Sequence, residues 1–220
     1  MVISIPLDGS RFPESVKHLV KPPKMLSVLA DEVVGRVFSW PAKSLAVIGS
    51  RNMSDYGKRV VWDVVPRLVG AGVAVVSGLA EGVDEEAQRA VLRSGGTTIG
   101  VLGFGVVKLS DFSNKELCRQ IVASQKGFLV SPFEPYLAAS KWTFLERNLL
   151  IAGLADALLV VEATHKSGCM STVEAALELG KEVFVVPGNI FSYTSMGANE
   201  LIKQGAHLVN CLDDILSNYV

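Results

Sequence analysis

The chain has 220 residues, which is enough to bury a full core and suits one α/β domain with a short extra segment better than two domains. Its formal net charge of −1 excludes an overall basic surface that would bind nucleic acid through bulk charge. Although 49% of the residues are hydrophobic, no apolar run is long and uncharged enough to cross a bilayer and no signal peptide is visible, so we expect a cytoplasmic protein without membrane association.

The first 40 residues are rich in proline, with Pro6, Pro13, Pro22 and Pro23. Proline interrupts regular structure, so residues 1–40 are predicted to form a lead-in segment of short helical pieces that wraps the domain. Residues 41–220 are then predicted to form the domain itself.

Residues 45–48 form an uninterrupted apolar run of the kind found in strands that are buried on both faces. The run breaks at Gly49-Ser50-Arg51, and apolar residues then recur at helical spacing up to Gly70, with Pro66 predicted to kink or shorten that helix. A second strand is predicted at 73–76, before Ser77-Gly78. This is a βαβ unit, in which both strands end at the same edge of the sheet.

The rest of the chain repeats this alternation. At 113–116, 143–146 and 171–174, a serine or threonine is followed three residues later by a glutamate, which matches the capping box that opens a helix. Further helices are predicted at 84–92, 113–125, 143–154, 171–180, 197–203 and 212–216, and further strands at 97–102, 128–131, 157–161, 182–186 and 207–209.

The predicted architecture is therefore an α/β fold of extended Rossmann-like type, with a mostly parallel sheet and helices on both faces. The strand-end loops are rich in Gly, Ser and Asn, and in a parallel sheet they meet along one edge. Backbone N–H groups there attract anions, and Arg51 adds charged donors suited to phosphate. We expect this edge to bind phosphate groups.

Several motifs in this order resemble the DNA-processing protein A (DprA/Smf) family, over roughly residues 44–216. They include Gly49-Ser50-Arg51, the run from Ser77-Gly78 to Asp84, Phe144 with Arg147-Asn148, Ser167-Gly168, Pro187-Gly188, and Gly197-Ala198-Asn199. No single motif is decisive, but many motifs in one order with similar spacing make a specific match.

The resemblance implies a protein that binds single-stranded DNA along its strand-end edge, forms a homodimer and helps to load RecA in recombination or natural transformation. It implies no catalytic residue, no metal and no cofactor. The phosphate-contacting residues that it implies, with two neighbouring lysines, are Gly49, Ser50, Arg51, Ser77, Gly78, Lys141, Arg147, Asn148, Lys166, Ser167, Gly168 and Asn199.

Three positions depart from the family pattern. Glu81 and Leu149 stand where members usually have arginine, and Gln88 stands where they usually have histidine. All three are expected to lie near the phosphate-binding edge, so binding to a single strand is expected to be substantially weaker, because each phosphate contact contributes to affinity.

Two other functions fit parts of the sequence. Glu146-Arg147 and Glu174 resemble the acid and arginine of LOG or lysine-decarboxylase-like phosphoribohydrolases, although Glu174 also fits a capping box. A dinucleotide-dependent oxidoreductase is weaker, because Gly49-Ser50-Arg51 does not begin a G-x-G-x-x-G motif. The scattered cysteines argue against a disulfide framework and a zinc site.

Overall fold

The computed structural model of the protein describes residues 1–36 and 38–219. The predicted segments 1–40 and 41–220 include Val37 and Val220, which lie outside the described residues, and the division at residue 40 stays a prediction. The strands are β1 (Val2–Pro6), β2 (Met25–Leu29), β3 (Ser44–Ile48), β4 (Ala74–Ser77), β5 (Thr98–Val101), β6 (Phe128–Ser131), β7 (Ala157–Val160), β8 (Val183–Val185) and β9 (His207–Leu208).

The helices lie between these strands, and two short 3-10 segments occupy 106–111 and 193–195. The α-helices are α1 (Glu14–Lys17), α2 (Glu32–Arg36), α3 (Asp55–Gly70), α4 (Val83–Arg93), α5 (Lys115–Ala123), α6 (Lys141–Leu154), α7 (Met170–Glu178), α8 (Met196–Lys203) and α9 (Asp213–Tyr219). Within the described residues, no helix combines the length and the apolar character that a membrane span needs.

All the strands join one sheet, in the order β1-β2-β6-β5-β4-β3-β7-β8-β9. In the part of this order that runs from β6 to β9, every neighbouring pair of strands is parallel. At the other end of the sheet, β2 is antiparallel to both β1 and β6. The predicted fold class, mostly parallel and Rossmann-like, is confirmed.

Helices cover both faces of the sheet because the side chains of each strand alternate between the two faces. In β3, Leu45 and Val47 pack into a cluster with α3 and α4, while Ala46 and Ile48 pack into a second cluster with α6 and α7. The uninterrupted apolar run of this strand therefore reflects burial on both sides.

The order of the strands creates a crevice beside β3. The chain moves outward from β3 through β4 and β5 to β6, and α6 then returns it to β7 on the other side of β3. The loops that follow β3 and β7 consequently leave the sheet in opposite directions, and such a switch point is where open α/β sheets bind ligands.

The amino-terminal segment differs from the prediction. It contains short helices, but β1 and β2 also extend the sheet beyond β6, and Phe12, Val16 and Leu26 are buried in the core beneath α6. The prolines do not prevent strand formation, because they lie at the ends of the strands or outside them. Pro6 is the last residue of β1, and Pro23 precedes β2.

The predicted helix starts also need correction. No side-chain cap forms at the start of α5 or α7, so the boxes at 113–116 and 171–174 are wrong. The box near 143 exists but lies three residues earlier, between Ser140 and Thr143, so Lys141 is the first residue of α6. Helix α3 continues through Pro66 to Gly70, so the predicted shortening is wrong as well.

Candidate functional site

A groove of about 780 Å³ lies at the carboxyl edge of the sheet, at the switch point between β3 and β7. Its walls come from the loop after β3, the first three turns of α6, and the loop that joins β7 to α7. The lining residues are Ile48, Gly49, Ser50, Arg51, Asn52, Ala80, Asp84, Lys141, Phe144, Arg147, Asn148, Ile151, Thr164, Lys166, Ser167, Gly168, Cys169, Thr172, Tyr193 and Thr194.

Three exposed cations surround this groove: Arg51, Lys141 and Lys166. Each comes from a different wall, and in the part of the chain that the structure describes none of them has a carboxylate within 4.0 Å. Asp84 is the one carboxylate among the described lining residues, and it is buried. The accessible surface of the groove is therefore cationic and suited to a polyanion.

The loop that carries Arg51 is fixed from two sides. The Ser50 amide donates to the Glu162 carbonyl at 2.7 Å, and the Val83 amide donates to the Ser50 carbonyl at 3.2 Å. Gly82 has a φ of +84°, and a Cβ there would lie 2.6 Å from the Arg51 carbonyl oxygen, so only glycine fits this approach. The turn is thus packed against the start of α4.

The opposite wall is fixed in a similar way. Ser167 Oγ accepts from the Thr164 amide at 2.9 Å, which closes the turn that carries Lys166. Asn148 donates to the Gly168 carbonyl at 3.0 Å and to Ser171 Oγ at 2.9 Å. Both bonds use the amide nitrogen of Asn148, so this residue ties α6 to the loop.

Arg147 lies beneath the groove and is only 4% exposed. Its guanidinium donates to the Gly78 carbonyl and, at 2.8 Å, to the Val101 carbonyl, which joins the ends of β4 and β5. Asp84 accepts from the Gly78 amide at 3.0 Å, so the carboxylate and the guanidinium both bond the backbone of Gly78.

Burial dominates the titration of this pair. It lowers the pKa of Arg147 to about 10, while the nearby Asp84 charge opposes the change, so the guanidinium is still charged at neutral pH. Burial also raises the pKa of Asp84, and Arg147 and the Gly78 amide counteract that rise. Each charge therefore reduces the cost of burying the other.

The structure brings most of the predicted site residues together but not all of them. Ser77 is buried, and its hydroxyl donates to the Val47 carbonyl at 2.7 Å. Asn199 bonds both backbone groups of Gly188 at 3.0 Å and lies outside the groove. Those that line it are Gly49, Ser50, Arg51, Lys141, Arg147, Asn148, Lys166, Ser167 and Gly168, while Gly78 lines a side branch.

The three departures from the family pattern occupy different environments. Glu81 is exposed and lines the side branch, a cavity of about 220 Å³ that also contains Arg51. Gln88 is fully buried between α4 and β5, and its Oε1 has no partner among the described residues. Leu149 packs against the core. Placing Gln88 and Leu149 at the phosphate-binding edge was therefore wrong, and only Glu81 changes its charge.

The sequence interpretation did not assign Asn52, Thr164, Tyr193 or Thr194 to the groove, although the structure places all four in its lining. Thr164 and Tyr193 belong to strand-end loops, so the parallel-sheet argument could have included them. Phe104, which follows β5, is buried in the core. Trp142 is exposed and packs edge-on against Phe133.

Comparison with known proteins identifies the family. The family model for DNA recombination-mediator protein A matches residues 4–220. The chain belongs to this family. It is 32% identical over 212 residues to DNA processing protein DprA of Bacillus subtilis. This alignment covers 96% of the present chain and 69% of the Bacillus subtilis protein. The chain spans between 44% and 69% of the length of the curated relatives that it matches.

Two solved structures of the family share the fold. DprA from Streptococcus pneumoniae has a TM-score of 0.86 and 33% identity, covering 99% of this chain and 74% of that one. The second structure is DNA processing protein A from Helicobacter pylori, which was described for its single-stranded DNA binding mode. It has a TM-score of 0.82 and 27% identity, and the match covers 100% of this chain and 98% of that one.

The phosphoribohydrolase alternative is not favoured for this DprA/Smf family member. Glu174 is exposed on α7 and does not line the groove, and Glu146 is also absent from the lining. Asp84, the carboxylate that is present, already accepts a backbone hydrogen bond and faces Arg147. Among the described residues, no group of three or more His, Cys, Asp or Glu side chains could hold a metal ion.

Proposed function

We propose that the groove binds the sugar-phosphate backbone of single-stranded DNA. The observation that carries this proposal is the placement of Arg51, Lys141 and Lys166 on three walls of one groove, without carboxylate partners within 4.0 Å among the described residues. Cations spaced along a cleft match the repeating charge of a nucleic-acid strand better than they match a single anion.

The net charge of the chain supports a local site rather than general attraction to nucleic acid. The whole chain carries −1, whereas the described groove lining contains four cationic side chains and one buried carboxylate. Attraction is therefore concentrated at the carboxyl edge of the sheet, where low-dielectric walls strengthen it. The small residues Gly49, Ser50 and Gly168 let a phosphate backbone approach the main chain closely.

The protein acts in this proposal by binding, without a catalytic residue, metal or cofactor. It works in the cytoplasm as a homodimer and passes the bound strand to RecA. The similarity to DprA and Smf proteins supports these roles. They are tested by sedimentation of the free protein and by measuring RecA assembly on an oligonucleotide with and without the protein.

The binding test is a salt titration. A labelled oligodeoxythymidine is titrated with the parent protein and with Arg51→Ala, Lys141→Ala and Lys166→Ala, and anisotropy reports the affinity at each salt concentration. Each variant should bind more weakly, and the slope of log affinity against log salt should fall by about 0.7 for each lost phosphate contact.

Arg67→Ala is the matched control. Arg67 is also exposed, but it lies in the last turn of α3, at the end of the helix farthest from the groove, and pairs with Asp63 at 3.0 Å. It should leave affinity and slope unchanged. If the three groove variants behave like this control, the groove does not bind the strand.

A further inference from the structure

The loop between β8 and α8 exposes an unusual amount of apolar surface beside the groove. Ile190 is 78% exposed, Phe191 91% and Tyr193 68%. Among the described residues, neither aromatic ring packs against another ring. Clustered apolar side chains left in water indicate a binding surface more often than chance exposure.

This loop is held in place despite its exposed side chains. Thr194 Oγ1 donates to the buried Glu162 carboxylate at 2.9 Å, and the same carboxylate accepts from Ser54 at the start of α3. Asn199 bonds both backbone groups of Gly188, and the Tyr56 hydroxyl donates to the Pro187 carbonyl at 2.8 Å. The loop is therefore anchored near both of its ends.

The turn itself is also closed locally. Asn189 Oδ1 accepts from the Phe191 amide at 2.9 Å, and the Asn189 carbonyl accepts from the Ser192 amide at 2.9 Å. The backbone that carries both rings is thus already ordered, so a ligand that contacts them does not need to pay for ordering the loop.

The end of this loop contributes directly to the groove. Tyr193 and Thr194 line the groove together with Arg51 and Lys166, while Phe191 lies two residues earlier in the same turn. We propose that Phe191 and Tyr193 stack on nucleobases at the end of the strand whose phosphates lie against Arg51 and Lys166. This inference rests on the proposed function and adds a second kind of contact to it.

The chemistry of a single strand fits this arrangement. Its phosphates require cations, while its unpaired bases present flat faces that stack on aromatic rings regardless of sequence. A double strand keeps its bases stacked on each other and cannot use such rings. The two aromatic residues would therefore add affinity for single strands specifically, whereas the cations attract both forms.

The test compares Phe191→Ala and Tyr193→Ala with the parent, using a short oligodeoxythymidine and an abasic strand of equal length. Each substitution should weaken binding of the oligodeoxythymidine by about 5- to 100-fold, because stacking of a base on the ring is lost. The salt slope should be unchanged, since no charge is removed. On the abasic strand, parent and variants should bind equally. Tyr193→Phe should keep the parent affinity.

Tyr136→Ala is the matched control, because Tyr136 is 74% exposed and lines neither the groove nor its side branch. The inference would be overturned if both loop variants kept the parent affinity for the oligodeoxythymidine. It would also be overturned if they lost as much affinity for the abasic strand as for the oligodeoxythymidine. So would a fall in sedimenting mass of the free protein on Phe191→Ala, which would identify the loop as an interface between copies.

The groove variants distinguish a failure of the stacking inference from a failure of the proposed function. If Arg51→Ala and Lys166→Ala weaken binding while the loop variants do not, only the stacking inference fails. If the cationic variants bind as tightly as the parent, the proposed function fails and the stacking inference fails with it.

Discussion

Replacing Arg147 by methionine tests whether this residue supports the groove from below or contacts DNA directly. The change removes the bonds to the Gly78 and Val101 carbonyls and leaves the buried Asp84 carboxylate without its compensating charge. Removing one partner of a buried pair costs about 3–5 kcal/mol, a large share of the total stability of a typical domain. The melting temperature should fall by roughly 6–20 °C.

Urea unfolding of the parent and of Arg147→Met measures this loss. Without Arg147 the pKa of Asp84 rises further above its unfolded value, so the penalty is smallest at low pH and grows as the pH rises. Adding Asp84→Asn should therefore recover part of the loss. Arg119→Met, an exposed residue on α5, should change stability by less than about 0.5 kcal/mol.

DNA binding by the same variant decides between the two roles. If Arg147 only positions the loops, the folded variant should keep the salt slope of the parent, because no phosphate contact is lost. A variant with normal stability and a lower slope would refute this reasoning and assign Arg147 to the phosphates.

Two further predictions address the side branch and the far edge of the sheet. Glu81→Arg should tighten oligonucleotide binding and raise the salt slope by about 0.7, since it replaces an acid with a cation beside Arg51; unchanged affinity in the salt titration would place the strand elsewhere. Lys181→Met should destabilise the protein by about 1–3 kcal/mol, because the ammonium donates to the carbonyls of Ala152, Gly153 and Ala155. Burial lowers the pKa of Lys181 from 10.5 to about 8. Between these two pH values the unfolded chain therefore binds the Lys181 proton more tightly than the folded protein does, which favours folding as the pH rises. The difference in unfolding free energy between parent and variant, measured in urea, should grow as the pH rises from about 8 to 10.5.

The central strands could be predicted because their burial on both faces is visible in the sequence. The apolar runs at 45–48 and 157–161 are recognisable without knowledge of the neighbouring strands, and Gly49 marks where the first run ends. The shared edge then follows from the rule that parallel strands joined by helices end on the same side. This reasoning located Arg51 and the loop that carries it, whereas Lys166 followed from the family resemblance.

Side-chain environments could not be predicted in the same way. An arginine on a helix looks alike in sequence whether it faces water or Asp84, so the burial of Arg147 depends on how α6 packs over β4 and β5. The capping pattern at 171–174 failed for a related reason. Ser171 instead bonds Gly168 and Asn148, and that tertiary contact competes with the local cap.

The position of β1 and β2 limits how the chain can be shortened. Phe12, Val16 and Leu26 fill space beneath α6, and Ser15 Oγ donates to the Gly153 carbonyl at the end of that helix. A truncated protein starting at Pro41 would expose this underside of α6 and one edge of β6 to water. Because α6 also carries Lys141, Arg147 and Asn148, trimming the amino terminus would disturb this wall of the groove from behind. An affinity tag should therefore be added to the amino terminus and not replace part of it.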